Sequence, residues 1–518
     1  MSQKTRGVIA AGHEKTAEAG IEMFRNGGNA FDAAVAAILA SFVAEPGLTS
    51  AAGGGFLLAH TQDNQNILFD FFSQTPRQKR HTEEINFYPV EVNFGDAVQE
   101  FHIGLGSMAV PGNIAGVFDV HQKLGRLPFH VVAEPAIHYA KNGIKLNQFQ
   151  YYCLAEILSP IITTHKCGQQ FFFLTGEPME PEGMLRMGDF AETLAYLTTK
   201  GIKEFYQGEI AHKLVKDCQE LGGHLTLEDL KYYQVIEREP LTINYRGNTL
   251  LTNPPPSSGG ILIAFALKLL SNIDLSQVKF GSARHLEVLA QVMRLTNEAR
   301  KDGYDSNLYQ EDVADCFLSD EHLAQYVNPF VETANKWGST THISVLDGEG
   351  NAASVTTSNG EGSGYVIPGT GIMMNNMLGE EDINPQGFHQ WQENVRISSM
   401  MAPTLVLKNN QPEIVLGTGG SKRIRTAILQ VISNILDFGM SVQDAVDSPR
   451  VHWENNVFNI EPGLEEGVHQ ITLPTNQQLL RWQEQNLFFG GVHTVRETED
   501  GVMQGAGDRR RDGVVASC

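Results

Sequence analysis

The sequence predicts a mixed α/β protein, helix-rich in its first part and strand-rich in its second. Three observations carry that reading. A helical period prevails from about Pro111 to Asp320, and short apolar runs separated by Gly-rich turns prevail after Trp337. Glycine, 51 of 518 residues, exceeds its usual share of about 7%, so tight turns and close backbone approaches should be frequent. The length suits two or more domains or one large α/β unit.

Taken in order, Ala17–Arg25 has helical spacing, and Asn26-Gly27-Gly28-Asn29 supplies a glycine stop and an Asn N-cap for a second helix. That helix, Phe31–Val43, is apolar on most faces and belongs in an interior. Gly53-Gly54-Gly55 leads into Phe56–Ala59 and, beyond Asp63-Asn64, Ile67–Phe72, which predicts a buried hairpin; the glycines read as tight packing of helix against sheet. Pro254–Gly260 is a rigid turn before the helix Ile261–Leu270, and Leu286, Leu289, Met293 and Thr296 share one helical face. After residue 338 the pairs Ile343/Val345, Ala353/Val355, Leu405/Leu407 and Ile414/Val415 mark strands.

Composition excludes some functions. With 38 Lys+Arg against 60 Asp+Glu the net charge is −22, which repels nucleic acid and anionic membranes. Five cysteines without CxxC spacing give no disulfide framework and point to a reducing compartment. Met1–Glu14 lacks an apolar signal core, and Ala33–Ala44, broken by Ser41, is too short to span a bilayer, so the expectation is a cytoplasmic protein with no membrane partner. No HExxH or Cys/His spacing occurs, so neither a metal nor another cofactor is expected. Gly360–Gly364 reads as a flexible substrate loop, and Arg509-Arg510-Arg511 as a local ion-pair cluster.

The chemistry starts from a hairpin. Ser339–Leu346 and Ala352–Ser358 alternate on either side of the turn Asp347–Asn351. Folded symmetrically about Glu349, the hairpin sets Thr340 opposite Ser358, within about 5.5 Å and on one face. Alone, such a pair is ordinary strand chemistry.

Ordered motifs nearly end to end add to it: Gly27–Ala30 with Asp32–Ala34, Gly53–Phe56, Pro111-Gly112, Pro254–Gly260, Thr340-Thr341-His342, Asp347–Ala352, Gly369–Asn376, Ser398-Ser399-Met400 and Gly419-Gly420-Ser421. Together they resemble the gamma-glutamyltransferase (glutathione hydrolase) family of N-terminal-nucleophile hydrolases. The resemblance implies a four-layer αββα sandwich and a precursor that cuts itself between Ser339 and Thr340. Segments 1–339 and 340–518 then stay associated as one unit, with a higher oligomer left open. It implies Thr340 as nucleophile with its own α-amine as base, Ser358 as a hydroxyl partner, Gly419 and Gly420 as an oxyanion hole, and Ser398 and Ser399 as holders of a substrate carboxylate.

Departures from the family pattern bear on substrate. Where the family's Asp-Phe-Arg presents an Arg to the glutamyl carboxylate, this chain has Asp70-Phe71-Phe72. Glu380 matches the acid that takes the α-ammonium, Met377 replaces a polar residue, and Gly360 replaces an Asn that Asn359 could stand in for; Arg77 is the nearby cation that could replace the lost charge. The implied activity is cleavage of γ-glutamyl amides through an acyl-Thr340 passed to water or an amine. Alternatives are an amidase of the same family with another acyl group, akin to cephalosporin-acylase-like or oxamate-amidohydrolase-like relatives, and a silent binder of small carboxylates, against which the retained Thr340, Gly419-Gly420 and Ser398-Ser399 argue.

Overall fold

A computed structural model describes residues 4–93, 98–164, 183–327, 340–471 and 478–518; Cys167 and Ser339 lie outside them. Thirteen strands of these residues build two sheets: β1 (Gly7–Ala11), β2 (Gly54–His60), β3 (Asn66–Phe71), β4 (Ile236–Arg238), β5 (Leu241–Tyr245), β6 (Asn248–Thr252), β7 (Thr341–Asp347), β8 (Ala352–Ser358), β9 (Thr404–Lys408), β10 (Gln411–Gly417), β11 (His493–Glu497), β12 (Met503–Ala506) and β13 (Val514–Ser517). The seven-stranded sheet runs β13-β1-β7-β8-β2-β3-β4 and the six-stranded sheet β12-β11-β10-β9-β6-β5. Every pairing within them is antiparallel.

The sheets stack face to face, β7 and β8 against β10 and β11, and helices cover both outer faces. On the first sheet lie α1 (Glu14–Arg25) and α2 (Ala30–Ala44), with α3 (Phe129–Asn142) against α2. On the second lie α4 (Ser258–Ser271) and α6 (Arg423–Leu436), with α5 (Ala283–Ala299) against α4. This is the four-layer αββα sandwich that the resemblance implies. Strand alternation sorts the core: Ile9, Leu57, Ile343 and Val345 face α1 and α2, while Val8, Phe56, Leu58 and Leu346 face the other sheet.

Local chemistry explains the two helices that buttress the first sheet. Asn29 caps α2 in a reciprocal capping box with Asp32, and all fifteen residues of α2 are buried, as its uniform apolarity predicts. The hairpin keeps its symmetric register, Thr341 pairing with Thr357 and His342 with Thr356. The Gly53–Gly55 run differs from expectation. A Cβ at Gly53 would come 2.2 Å from the Ser358 carbonyl, at Gly54 2.5 Å from the Ser73 amide and at Gly55 2.7 Å from the Thr356 carbonyl, so these glycines let main chain pack on main chain beside β8, not helix on sheet. The split into helical and stranded parts is also coarser in fact. Residues before 338 contribute six of the thirteen strands of the two sheets, and α6 belongs to the second part. Among the described residues no helix is long and apolar enough to cross a membrane.

Candidate active site

Thr340 enters β7 between the layers, and the two-residue period of the strand sends its neighbours to opposite sides. Thr341 points toward α2, where its hydroxyl donates to Glu45 Oε2. His342 points toward the second sheet, where a Cβ on Gly417 would come 2.3 Å from its ring. His342 Nδ1 meets Thr356 Oγ1 at 2.8 Å and Nε2 meets Ser344 Oγ at 2.9 Å. Burial, then His493, holds this imidazole well below its ordinary pKa, so it is a neutral structural link between sheets.

In front of Thr340 opens a cleft. Thr340, Ser358, Ser399 and Ser421 line it with hydroxyl groups; Phe72, Met377, Ile383, Met400, Met401 and Ile424 form its apolar wall; Glu380 and Asp382 are its acids. None of the described residues lining it is Arg, Lys or His. Asp382 is partly neutralised by Lys422 at 3.2 Å, which also reaches Glu454 at 3.3 Å. Glu380 Oε1 is closed off from solvent with no hydrogen-bond partner. Burial, then the charges of Glu361 and Asp382, pushes the Glu380 carboxyl far above its ordinary range. A Cβ at Gly360, where φ is +61°, would come 2.1 Å from that oxygen. The missing side chain at 360 therefore makes room for the carboxyl of Glu380.

Behind Thr340 a tightly packed recess is lined by Gly12, Glu45, Thr341, His342, Gly419, His493 and Arg511, among others. Glu45, just past the C-terminus of α2, accepts from Thr16 Oγ1 at 2.8 Å and from Thr341. Burial outweighs those hydrogen bonds and raises its carboxyl to about 7. Arg511 Nη1 donates to the Thr340 carbonyl at 2.9 Å. Gly419 is pressed against the same carbonyl, since a Cβ there would lie 2.0 Å from the oxygen, and Gly420 adopts φ +125°.

Thr340, Ser358, Ser399, Glu380 and Phe72 are thus brought to one cleft, with Gly419 against the Thr340 carbonyl. Others land elsewhere. Ser398 does not line the cleft; its Oγ pairs with Ser258 Oγ at 3.0 Å. Asn359 gives its Nδ2 to the Met374 carbonyl at 3.4 Å and does not replace the missing side chain at 360 in the cleft wall. Arg77 stacks over Tyr232 at 5.1 Å and does not line the cleft. The Gly360–Gly364 loop is buried throughout and tied down, Gly104 donating to the Ser363 carbonyl at 3.0 Å.

Two arginines escaped sequence reasoning. Arg396, two residues before Ser398, turns away from the cleft to pair with Asp70 at 3.3 Å and to donate to the Phe72 carbonyl at 2.6 Å. The Arg509–Arg511 run is an ion-pair cluster at two of its three members, Arg510 engaging Glu461 at 2.5 Å and Asp508 at 3.2 Å and Arg509 lying 3.7 Å from Asp447; Arg511 goes to Thr340. No local signal distinguishes Arg511 from its neighbours.

Residues 16–518 match the gamma-glutamyltranspeptidase family. The chain is 28% identical to the glutathione hydrolase proenzyme of Escherichia coli (strain K12), over 98% of this chain and 90% of that protein. It is 30% identical to the acylase ACY 1 proenzyme of Pseudomonas sp. (strain V22), over 98% and 93%. Among solved structures it resembles the cephalosporin acylase of Bacillus halodurans with a TM-score of 0.86 and 25% identity, over 99% and 96% of the two chains.

Proposed function

The chain belongs to the gamma-glutamyltranspeptidase family, and from that premise we propose that it is a self-processing amide hydrolase with Thr340 as its nucleophile. The observation that carries the reading is the meeting of Thr340, Ser358 and Ser399 at one cleft, with Gly419 packed on the Thr340 carbonyl. In the first step the Thr340 hydroxyl adds to the Ser339 carbonyl, the peptide C–N bond breaks to leave an ester, and water hydrolyses that ester. The products are a Ser339 carboxylate and a free α-amine on Thr340.

That amine then serves as base, taking the hydroxyl proton as the oxygen attacks a substrate amide. The Gly419 and Gly420 amides receive the developing oxyanion, and the proton passes to the departing amine. Water or a second amine resolves the acyl-Thr340 ester. Its neighbours include both a glutathione hydrolase and an acylase, and the cleft favours the second kind of specificity. Phe72 stands where a carboxylate-binding Arg would, stacked on Phe56 at 5.4 Å, and Glu380 keeps an oxygen for a cationic group. The preferred acyl group therefore has an apolar stem and an amine but no α-carboxylate, with γ-glutamyl amides turned over weakly.

Purified protein should separate into segments 1–339 and 340–518, with N-terminal sequencing of the shorter one beginning at Thr340. Thr340→Ala should stay whole and inactive. Mass spectrometry during turnover of a panel of amides should find the acyl mass on Thr340; an adduct on any other residue, or a different new N-terminus, overturns the assignment.

A further inference from the structure

Arg511 is a buried cation that the proposed chemistry does not use. Its Nη1 donates to the Thr340 carbonyl, and Nε is buried without a hydrogen-bond partner. Among the described residues no carboxylate lies within ion-pair distance of it. The guanidinium is wedged between main chains: a Cβ on Gly491 would come 2.5 Å from its Cδ, one on Gly419 2.9 Å from Nη1 and one on Gly420 3.4 Å from Nη2. An uncompensated buried charge is costly, so a fold that builds three glycine contacts around one has a use for it.

We propose that Arg511 is a positioning residue that clamps the main chain of Thr340 and, as a fixed cation beside it, keeps the α-amine formed there unprotonated at neutral pH. The inference rests on the reading that Thr340 becomes an N-terminus. A residue's amide nitrogen lies roughly 3–3.5 Å from its own carbonyl oxygen, so the donating Nη1 lies no more than about 6.5 Å from the amine. A positive charge at that range disfavours the ammonium and lowers its pKa by about one pH unit or more from the ordinary 7.7–8.0.

The other groups around Thr340 do not cancel this charge. Asp508 is already matched by Arg450 at 2.6 Å and Arg510 at 3.2 Å. His342 and His493 are neutral, the latter lowered to about 4 by burial, and the Cys153 thiol is pushed up to about 12. Glu45, from the end of α2, ionises only around 7, and both its oxygens accept hydroxyl hydrogen bonds. On the cleft side Asp382 is paired with Lys422 at 3.2 Å and burial holds the Glu380 carboxyl far above its ordinary range, so below that pH the uncompensated charge behind the amine is that of Arg511.

The test is the acidic limb of kcat/KM for the mature enzyme, with N-terminal sequencing first. If the new chain does not begin at Thr340, the functional reading fails. If it does, the wild-type midpoint should lie near 7 or below, Arg511→Gln should raise it by about one pH unit, and Arg511→Lys should hold it near the wild-type value. A wild-type midpoint at about 8, or one unmoved in Arg511→Gln, overturns the inference and leaves the reading of Thr340 intact. Should Arg511→Gln remain uncut, Arg511→Lys must restore both cutting and the low midpoint; a Lys variant that fails like the Gln variant also overturns it.

Discussion

Behind Thr340, Glu45 is held by Thr16 and Thr341, His342 by Thr356 and Ser344, and Arg511 by the Thr340 carbonyl. On the cleft side, Glu380 keeps an oxygen without a partner, and an apolar wall stands where a cation is expected. The difference separates two tasks. The rear fixes Thr340 through groups bonded inside the protein, and a change there should alter stability or the titration of Thr340. The front leaves polar capacity for a ligand, and a change there should redirect substrates while leaving the scaffold intact. Changing one side at a time tests whether the division is real.

The largest effect belongs to the rear. Glu45 titrates at about 7 in the folded protein against 4.5 ordinarily, because burial disfavours its charge. An acid raised in this way binds its proton more tightly in the native state than in the unfolded chain. Its contribution to stability is therefore full below 4.5 and is lost as pH climbs toward 7, a change of roughly 3 kcal/mol. Gln mimics the protonated carboxyl. In the uncut Thr340→Ala protein, Glu45→Gln should gain stability relative to its parent by that amount between about pH 4 and pH 8, measured by chemical denaturation. A difference that stays constant across this range would mean that Glu45 is ionised in the native state and that the rear is not the low-dielectric pocket described.

The next effect belongs to the front. Phe72→Arg should raise kcat/KM for a γ-glutamyl amide by about tenfold, since a charge-assisted hydrogen bond to carboxylate is typically worth about 1.5–3 kcal/mol and part of that is offset by burying the new charge. The same variant should lose activity on amides whose acyl group lacks a carboxylate. Rising γ-glutamyl turnover with no loss on the other class would show that Phe72 does not select the acyl group.

How much of the molecule is legible in its sequence differs between the two sides. Strand alternation and a five-residue turn fix a hairpin register locally, so the placement of Thr340 across from Ser358 follows from spacing alone. The mixed class and the buried helix α2 follow from equally local patterns. The sandwich itself, and the cleft residues Ser399, Glu380 and Phe72, follow from matching motifs. The rear follows from neither. Glu45 meets Thr341 across 296 residues and Arg511 meets Thr340 across 171, contacts that only the stacking of sheet on helix and the return of the C-terminal segment create. Arg396 shows the same limit. It is two residues from Ser398, yet the direction of its side chain is set by Asp70 and by the Tyr233 ring, 4.8 Å from its guanidinium.

The smallest expected effect sharpens the comparison most. Arg77 is five residues from Phe72, and on sequence alone it is the natural substitute for the absent cation. Its amide donates to Asp229 at 2.7 Å and its guanidinium lies 5.1 Å from the Tyr232 ring centre, a half-exposed cation–π contact outside the cleft. Losing such a contact costs about 0.5–1 kcal/mol of stability. Arg77→Ala should therefore leave kcat/KM for every donor within about twofold of wild type, because about 0.4 kcal/mol of transition-state stabilisation is all that a twofold change represents. A tenfold loss confined to γ-glutamyl donors would place Arg77 on the substrate carboxylate in the working enzyme. The front would then hold its cation after all, and the argument from Phe72 to a carboxylate-free substrate would fall.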